Sequence, residues 1–522
     1  MSVRARSRSS RAAIAVAVTA AAVAVAAVAV NVNTAAAAGI VPAQIAGPVP
    51  AVARMLPFDP PAPVALRTGP RAVFAHYMPL MTVSLDNQPT ATDYYQRNYL
   101  QPDGEHSKFA QFGGFVRDRP AGRPVRAGTD WRLRDMQDEV RQASAAGIDG
   151  FSMDIIQVAG GSVPQMWANE NLMMQAAATA GPDFKVMIVP DMFASLGDKD
   201  PVALADGLAP LAKYPSAYRL ADGRLLVAPF KAERHSPDWW RQFKDAMQTR
   251  HGERVALMPT FVGDISMYAA AYAPVSYGLS NWGSRNPDYN NTTATGPGSG
   301  QGRAALVHSL GVKWMQPVSL QDQRPSQQVF DEAGNTKNLR ATWQLARTTG
   351  AEFVQIPTWN DYSEGTGIAP SARSGSSFLD MNSYYAVWYK TGKAPVVKRD
   401  MVYVTHRTQM STAKPSYPTA KPMVLRGGTQ TRDTVEVLTF ATAPGHVTVT
   451  VGGRVYGCDV QAGVGTCTVP LVPGKVSARL SRGFAVVAAV VSPNLVDAMP
   501  YVQDRGYVAV SSGRTPDPAY AR

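Results

Sequence analysis

Short apolar runs alternate with longer amphipathic stretches between residues 72 and 360, and this alternation predicts a parallel β-sheet covered by helices. Eight runs have the content of buried strands: 72–78, 150–156, 185–192, 224–230, 255–261, 276–282, 312–318 and 352–360. Six stretches between them predict helices: 131–146, 166–180, 201–213, 237–249, 302–310 and 339–348. The order fits a (β/α)8 TIM barrel of the α/β class. A doubly wound sheet is the alternative, but the chain lacks its usual Gly-rich and Walker-type cofactor motifs.

The pattern changes after about residue 395. Short β-branched runs are broken there by Pro-Gly and Gly-Gly pairs, and residues 446–451 alternate strictly between polar and apolar. Such runs predict antiparallel strands with one buried face. We therefore assign residues 69–397 to the barrel and residues 398–522 to a C-terminal antiparallel β-sandwich.

The first residues of the chain carry a third pattern. Four arginines within the first eleven residues precede an apolar run, 12–30, and small residues follow it. This arrangement is typical of a secretory signal peptide, which we assign to residues 1–38; an uncleaved membrane anchor is the alternative. Residues 39–68 are rich in Pro and Ala and predict a linker or an extended arm. We expect a secreted protein with no stable membrane insertion once the signal is cleaved.

Composition and charge indicate a folded protein and argue against nucleic-acid binding. Hydrophobic residues make up 45% of the chain and charged residues 17%, which excludes disorder for most of its length. The net charge is +12, but the basic residues outside the signal segment are scattered. Because no basic stripe is present, we expect no nucleic-acid partner. The two cysteines, Cys458 and Cys467, can form a disulfide between neighbouring β-strands in an oxidising exterior, and two buried thiols are the alternative. The sequence makes no prediction of the oligomeric state.

Candidate chemistry lies where the predicted barrel strands end, since reacting groups of such barrels stand at the carboxyl ends of strands. Carboxylates, amides and rings occupy these positions: His76, Tyr77, Asp154, Asp191, Asn281, Trp282, Gln316, Trp359, Asn360, Asp361, Tyr362 and Glu364. Acids can protonate a leaving oxygen and activate water, while rings stack on sugars and amides bind hydroxyls. The predicted barrel has no cysteine, no His-Glu-x-x-His and no nucleophile elbow. The set predicts a carbohydrate-active site without a metal or organic cofactor.

Three segments in order resemble glycoside hydrolase family 71, the α-1,3-glucanases or mutanases: FAHYM (74–78), DWRLRDMQDEVRQASAAGIDGFSMDI (130–155) and WNDYSEG (359–365). The resemblance covers about residues 72–510 and implies a catalytic barrel, a following β-sandwich and a polysaccharide substrate, α-1,3-glucan. WNDYSEG also resembles an element of the family 99 endo-α-mannosidases and mannanases, so a hydrolase of that type is the alternative. A non-catalytic exopolysaccharide-binding surface protein is the alternative from another class.

The resemblance to family 71 implies a catalytic pair, Asp361 and Glu364, and inversion at the anomeric carbon. We assign Glu364 as the general acid and Asp361 as the base or water-positioning group, with Asp154 and Asp191 in reserve for the second role. The expected substrate-binding residues are His76, Tyr77, Asp154, Asp191, Asn281, Trp282, Gln316, Trp359, Asn360 and Tyr362. As the alternative, the two acids cap a helix start, and His76 and the tryptophans are interior residues.

Overall fold

A computed structural model of the chain describes residues 56–181, 183–428 and 430–514. The predicted signal peptide lies outside these ranges, as does most of the predicted linker or arm. The described end of that arm is docked: Leu56 and Phe58 are buried in the apolar core, and Arg399 donates to the carbonyl of Leu56. None of the helices within these ranges combines the length and hydropathy of a membrane span.

Strands and helices alternate through the first part of the described chain. The strands are β1 (Ala72–Tyr77), β2 (Gly150–Ile155), β3 (Lys185–Pro190), β4 (Leu225–Val227), β5 (Val255–Leu257), β6 (Thr260–Phe261), β7 (Gly278–Asn281), β8 (Lys313–Pro317), β9 (Gln323–Arg324), β10 (Val329–Phe330) and β11 (Phe353–Ile356). The helices are α1 (Pro63–Leu66), α2 (Trp131–Ala145), α3 (Pro164–Ala180), α4 (Pro201–Ala212), α5 (Pro237–His251), α6 (Ala269–Tyr272), α7 (Gly300–Ser309), α8 (Lys337–Thr348) and α9 (Ser377–Thr391).

One parallel sheet contains nine of these strands, in the order β5-β4-β3-β2-β1-β11-β8-β7-β6. The two edge strands, β5 and β6, are consecutive in the chain and separated only by Met258 and Pro259. Each of the eight predicted runs contains a strand of this sheet, and the run 255–261 contains two. The prediction of a parallel sheet accompanied by helices is therefore confirmed.

The helices begin where the sequence supplies caps. The Asp200 carboxylate accepts from the N–H groups of Val202 and Ala203 at the start of α4, and the Ser236 hydroxyl accepts from the N–H of Trp239 at the start of α5. Both helices also have Pro at their first position. Caps of this kind satisfy N–H groups that the helix itself leaves unpaired, so both starts agree with the predicted ones.

Alternate residues of a strand in the parallel sheet face two different apolar clusters, as the two-residue period of a strand requires. In β1, Phe74 belongs to a cluster made mainly of strand residues. Val73, Ala75 and Tyr77 belong to the larger cluster that also contains helix residues. His76 shares the face of Phe74, which directs it toward the inner side of the sheet.

Two antiparallel sheets follow the barrel region. Their strands are β12 (Met401–Arg407), β14 (Thr434–Ala441), β15 (Gly445–Val451), β16 (Arg454–Val460), β17 (Gly463–Pro470), β18 (Val476–Arg482), β19 (Ala485–Val491) and β20 (Tyr507–Ser511), while β13 (Val424–Leu425) pairs with β10. The strand orders are β17-β14-β12-β20 and β16-β15-β18-β19. The first of these sheets is buried on both faces: Tyr403 and Phe440 join the apolar core of the parallel sheet and its helices, while Val404 and Val437 join a cluster shared with the second sheet.

The predicted disulfide between Cys458 and Cys467 is confirmed, with Cα atoms 5.8 Å apart. The two strands it joins are consecutive, but they are not hydrogen-bonded neighbours as expected from the sequence. Cys458 lies on β16, an edge strand of one sheet, and Cys467 lies on β17, an edge strand of the other. The bond therefore links two sheets where no ladder of hydrogen bonds connects them.

Replacing both cysteines by alanine is expected to lower the free energy of unfolding by about 2–3 kcal/mol, because the short closed loop no longer restricts the unfolded chain. The measurement is urea-induced unfolding with and without a thiol reductant. Reductant should lower the midpoint of the native protein toward that of the variant and leave the variant unchanged. A native midpoint that does not respond to complete reduction would contradict this assignment.

Candidate active site

The carboxyl ends of the parallel strands bring a group of titratable side chains together. His76 and Asp154 are the second-last residues of β1 and β2, Asp191 follows β3, and Asp361 and Glu364 lie in the loop after β11. The charges of Asp191 and Asp361 act on His76, Asp361 acts on Asp154, and Asp154 acts on Asp191. Five residues that the sequence places on four different strand ends therefore share one site.

His76 and Asp154 form the buried centre of this group. The His76 Nε2 atom lies 3.6 Å from the Asp154 Oδ1 atom, and the imidazole meets the Trp282 ring edge-to-face with centroids 5.0 Å apart. Burial lowers the pKa of His76 to about 4, although Asp191 and Asp361 act in the opposite direction. Burial raises the pKa of Asp154 to about 8, and Asp361 adds to the rise. At neutral pH the pair is therefore uncharged, an arrangement suited to neutral hydroxyl groups.

Asp191 is held in place by the backbone that follows it. Its Oδ1 atom accepts from the N–H of Phe193 at 2.7 Å. Burial raises the pKa of Asp191 to about 7, with a further contribution from Asp154, and the backbone hydrogen bonds oppose the rise. Asp191 is thus divided between its protonated and ionised forms near neutral pH.

Glu170 is a second buried acid that the sequence analysis does not identify. It lies on α3 and accepts weakly from the N–H groups of Ile156 and Gln157, at 3.3 and 3.4 Å. Its Oε2 atom is buried and finds no hydrogen-bond partner in the described part of the chain. Burial raises the pKa of Glu170 to about 9, so the side chain is neutral and fixes the segment that follows Asp154.

Asp361 and Glu364 lie in one tight turn. The Asp361 Oδ1 atom accepts from the Ser363 hydroxyl at 2.7 Å and from the N–H of Glu364 at 3.0 Å. The N–H of Asp361 donates to the hydroxyl of Thr358 at 2.9 Å. No helix begins in this segment of the described chain, so the alternative that the acids cap a helix start is wrong.

Arg324 contacts Glu364 directly, with 2.6 Å between Nη1 and Oε1. The other side of the same guanidinium binds Asp322 through Nε and Nη2, at 2.8 and 2.6 Å. Burial raises the pKa of Glu364 to about 8 against the opposing charge of Arg324, and Asp361 acts in the same direction as burial. Neither Arg324 nor Asp322 is identified from the sequence. The only signal there is the short charged segment that contains them, after the apolar run 312–318, which contains β8.

Further arginines surround this contact. The Arg426 Nη2 atom lies 3.2 Å from Asp322, and its guanidinium also binds both carboxylate oxygens of Asp331 at 2.9 Å. Arg285 is buried, donates to the carbonyl of Trp282 at 3.0 Å and lies 5.4 Å from the centre of that ring. The arginines thus connect the loops after β7, β8 and β11 with a segment from the C-terminal region.

Several predicted substrate-binding residues use their polar groups inside the protein. Tyr77 and Trp359 are fully buried and both donate to the Glu139 carboxylate at 3.0 Å. Gln316 accepts from the indole N–H of Trp314 at 3.0 Å. The two-residue period of a strand could have shown that Tyr77 and Gln316 do not face the site, because they lie on the outer faces of β1 and β8.

Asn360 and Tyr362 also face the protein interior. The Asn360 amide accepts from the N–H of Met78 and donates to the carbonyls of Met78 and Met81. Tyr362 is buried in a small cluster with Met81 and Phe115. These two side chains therefore connect the loops that follow β1 and β11.

Trp282 remains next to the acidic group, whereas Asn281 lies on the outer face of β7 with Leu279. Both are partly exposed, and the Trp282 ring packs edge-to-face against Phe230 as well as His76. The Asn281 Oδ1 atom has no hydrogen-bond partner in the described residues. Within those residues, no group of three or more His, Cys, Asp or Glu side chains is arranged to hold a metal ion.

Comparison with known proteins finds relatives over most of the chain. A mutanase from Penicillium rubens is 24% identical over 418 residues, which cover 74% of this chain and 86% of the relative. A glucan endo-1,3-alpha-glucosidase from Schizosaccharomyces pombe is 22% identical over 420 residues, which cover 73% of this chain and 91% of the relative.

Among solved structures, a GH99 endo-alpha-mannosidase from Bacteroides thetaiotaomicron aligns with a TM-score of 0.46 and 12% identity, covering 61% of this chain and 97% of that one. Residues 125–504 match the sequence profile of glycosyl hydrolase family 71. This match confirms the resemblance drawn from the three sequence segments. The chain belongs to glycosyl hydrolase family 71 and is a glycoside hydrolase.

Proposed function

We propose that the protein is a secreted α-1,3-glucanase that hydrolyses its polysaccharide with Asp361 and Glu364 and inverts the anomeric carbon. The observation that carries the proposal is the turn in which both acids lie at the carboxyl end of the sheet. Family membership and the names of the two relatives support α-1,3-glucan as the substrate. The disulfide is in keeping with an oxidising exterior.

The fold proposed for this enzyme is a closed (β/α)8 barrel followed by a β-sandwich. Closure is supported by β5 and β6, the two edges of the sheet, which follow each other in the chain as two halves of one strand. The sandwich is supported by the apolar cluster that both antiparallel sheets share. The boundaries at 69–397 and 398–522 remain part of this proposal.

Glu364 is the general acid in this mechanism. A carboxyl with a raised pKa keeps its proton near neutral pH and can transfer it to the glycosidic oxygen as the bond to the anomeric carbon breaks. Arg324 fixes one carboxylate oxygen, Oε1, so the orientation of the acid is set before substrate binds. We assign Arg324 as a positioning residue.

Asp361 is the base. The hydrogen bonds from Ser363 and the Glu364 N–H both fall on Oδ1, which leaves Oδ2 to accept a proton from water. That water attacks the anomeric carbon on the face opposite the leaving oxygen, and the product has inverted configuration. After these two transfers Asp361 holds the proton taken from water and Glu364 has lost its own. Proton exchange with solvent, from Asp361 and to Glu364, restores the enzyme and completes one turnover.

The substrate-binding groups are those on the inner face of the sheet. The uncharged His76 and Asp154 would exchange hydrogen bonds with sugar hydroxyls, as would Asp191. Asn281, on the outer face of β7, would have a supporting role. The partly exposed ring of Trp282 would stack on a sugar face. For the buried residues Tyr77, Gln316, Trp359, Asn360 and Tyr362 we propose supporting roles in place of the direct sugar contacts expected from the sequence.

The direct test offers insoluble α-1,3-glucan and α-mannan separately to the mature protein and follows released sugar by proton NMR. The proposal expects release from the glucan alone, with the β-anomer appearing first because the configuration inverts. Release from mannan alone would favour the family 99 type of activity. Binding of glucan without turnover would favour a non-catalytic role, and a first-formed α-anomer would contradict inversion.

Glu364→Gln is expected to lower kcat by about 10²–10⁴-fold, because the amide has no proton to give to the leaving oxygen. Glu253→Gln is the matched control: Glu253 precedes β5 at the opposite end of the strands, where it pairs with Arg219 at 2.8 Å. The measurement is sugar release at equal concentrations of protein whose unfolding midpoints match. Equal activity of the two variants would remove Glu364 from the mechanism.

Arg324→Gln is expected to move the high-pH limb of kcat/KM to higher pH. The active acid is the protonated form, so activity falls as pH rises through the pKa of Glu364, about 8 in the native protein. Removing the positive charge removes the influence that lowers this pKa. Arg324→Lys retains the charge and should leave the limb close to its native position. A loss of activity with an unmoved limb in both variants would show only a structural role.

A further inference from the structure

A large cavity lies outside the acidic site, at the junction between the barrel region and the C-terminal sheets. Its volume is about 960 Å³, and neither Asp361 nor Glu364 lines it. Residues from five parts of the chain form its wall: 90–119 in the loop after β1, 372–373 before α9, 408–409 after β12, 473–474 before β18, and 494–504 between β19 and β20. We call it the junction cavity. Ligand sites commonly have this size and this position between structural units.

Arg119, Arg373 and Asp118, which line the junction cavity, have partners within the protein. Arg119 makes a two-pronged ion pair with Asp93, at 2.7 and 2.6 Å, and Arg373 pairs with Asp504. Asp118 accepts from the N–H of Arg373. Because these charges are compensated by neighbouring side chains and backbone, the wall favours a neutral polar ligand over an ion.

Gln409 supplies an unused hydrogen-bonding atom in this wall. The side chain is only 2% exposed and its Nε2 atom donates to the carbonyl of Val502 at 3.0 Å. Its Oε1 atom has no partner among the described residues. A buried acceptor without a partner costs free energy unless a donor reaches it. A ligand hydroxyl that donates to this oxygen would remove the cost.

Tyr501 supplies an aromatic surface at the same place. It is 59% exposed, and Tyr417 contacts it edge-to-face with ring centroids 5.6 Å apart. The side chain of Leu495, also exposed, extends the apolar part of the wall. A ring held by another ring offers a rigid platform at small entropic cost, and one apolar face beside polar groups matches the two kinds of surface that a sugar presents.

We propose that the junction cavity is a second, non-catalytic binding site for a neutral segment of the glucan chain. The identity of the sugar rests on the proposed function, whereas the existence of the site rests on the cavity, Gln409 and Tyr501. A polysaccharide held here and at the acidic site would contact the enzyme at two places at once. Retention on an insoluble polymer would then exceed what the acidic site alone provides.

The test uses the full mature chain with Glu364→Gln, so that the ligand is not consumed, and titrates it calorimetrically with nigerotetraose, an α-1,3-linked tetrasaccharide of glucose. Two binding events per chain are expected. Adding Tyr501→Ala should remove one event or weaken it about tenfold and leave the other unchanged. Gln409→Met, which keeps the volume of the side chain, should weaken the same event.

Phe484→Ala is the matched control, because Phe484 is fully exposed at the turn between β18 and β19. That turn lies at the opposite end of these strands from Gly474 and Asn494, which line the cavity. In otherwise native protein, Tyr501→Ala should retain kcat/KM on nigerotetraose and lose retention on insoluble glucan, and Phe484→Ala should change neither. A single binding event that Tyr501→Ala does not affect would overturn the proposal.

Failure of the proposed function would be distinguishable from failure of the second site. If Glu364→Gln retained full activity while one event still depended on Tyr501, the catalytic assignment would fail and the junction cavity would stand. If an α-mannan oligosaccharide bound at the Tyr501-dependent site and nigerotetraose did not, the glucan assignment would be overturned.

Discussion

The ion pair between Arg324 and Asp322 is the interaction on which the geometry of the site depends. It turns the guanidinium so that Nη1 meets the Glu364 carboxylate, and it lies in the loop between β8 and α8, residues 318–336. That loop is held from outside the barrel region. Arg407 on β12 binds Glu332 at 2.9 Å, and the N–H of Arg505 donates to the side chain of Gln323 at 2.8 Å. The C-terminal sheets therefore brace the segment that contacts Glu364, whether or not they bind polysaccharide.

The sheet β17-β14-β12-β20 makes this bracing possible because neither of its faces is free. Alternate side chains along β12 enter two different cores, with Met401 and Tyr403 toward the barrel and Val402 and Val404 toward the second sheet. A sheet fixed on both sides cannot shift without disturbing both cores, since packed interiors deform little. Arg407 and Arg505, which extend from this region, are consequently held in place where they bind the segment between β8 and α8.

Much of the fold follows from local sequence pattern, and much of the site does not. The eight apolar runs suffice for the strands because buried parallel strands need continuous apolar content. The strand ends likewise locate His76, Asp154 and the two acids after β11. A position at a strand end does not reveal which face of the sheet a side chain occupies. His76 and Tyr77 are adjacent, yet His76 points to the inner face and Tyr77 points to the outer face, where it binds Glu139 on α2. The role of Arg324 is harder still to predict, because it arises from contacts that no local periodicity of the sequence encodes.

The docked segment at Leu56 has a consequence for the order in which the molecule is completed. The carbonyl of Pro57 accepts from the N–H groups of Lys398 and Arg399, and Asp59 pairs with Arg399 at 2.6 Å. These partners are more than three hundred positions apart in the chain. During synthesis the hydrogen-bonding and ion-pairing partners of this early segment are absent until the ribosome has passed residue 399. Native structure in this segment is thus acquired late in synthesis, after the sheet and helices that follow it in the sequence and that it contacts.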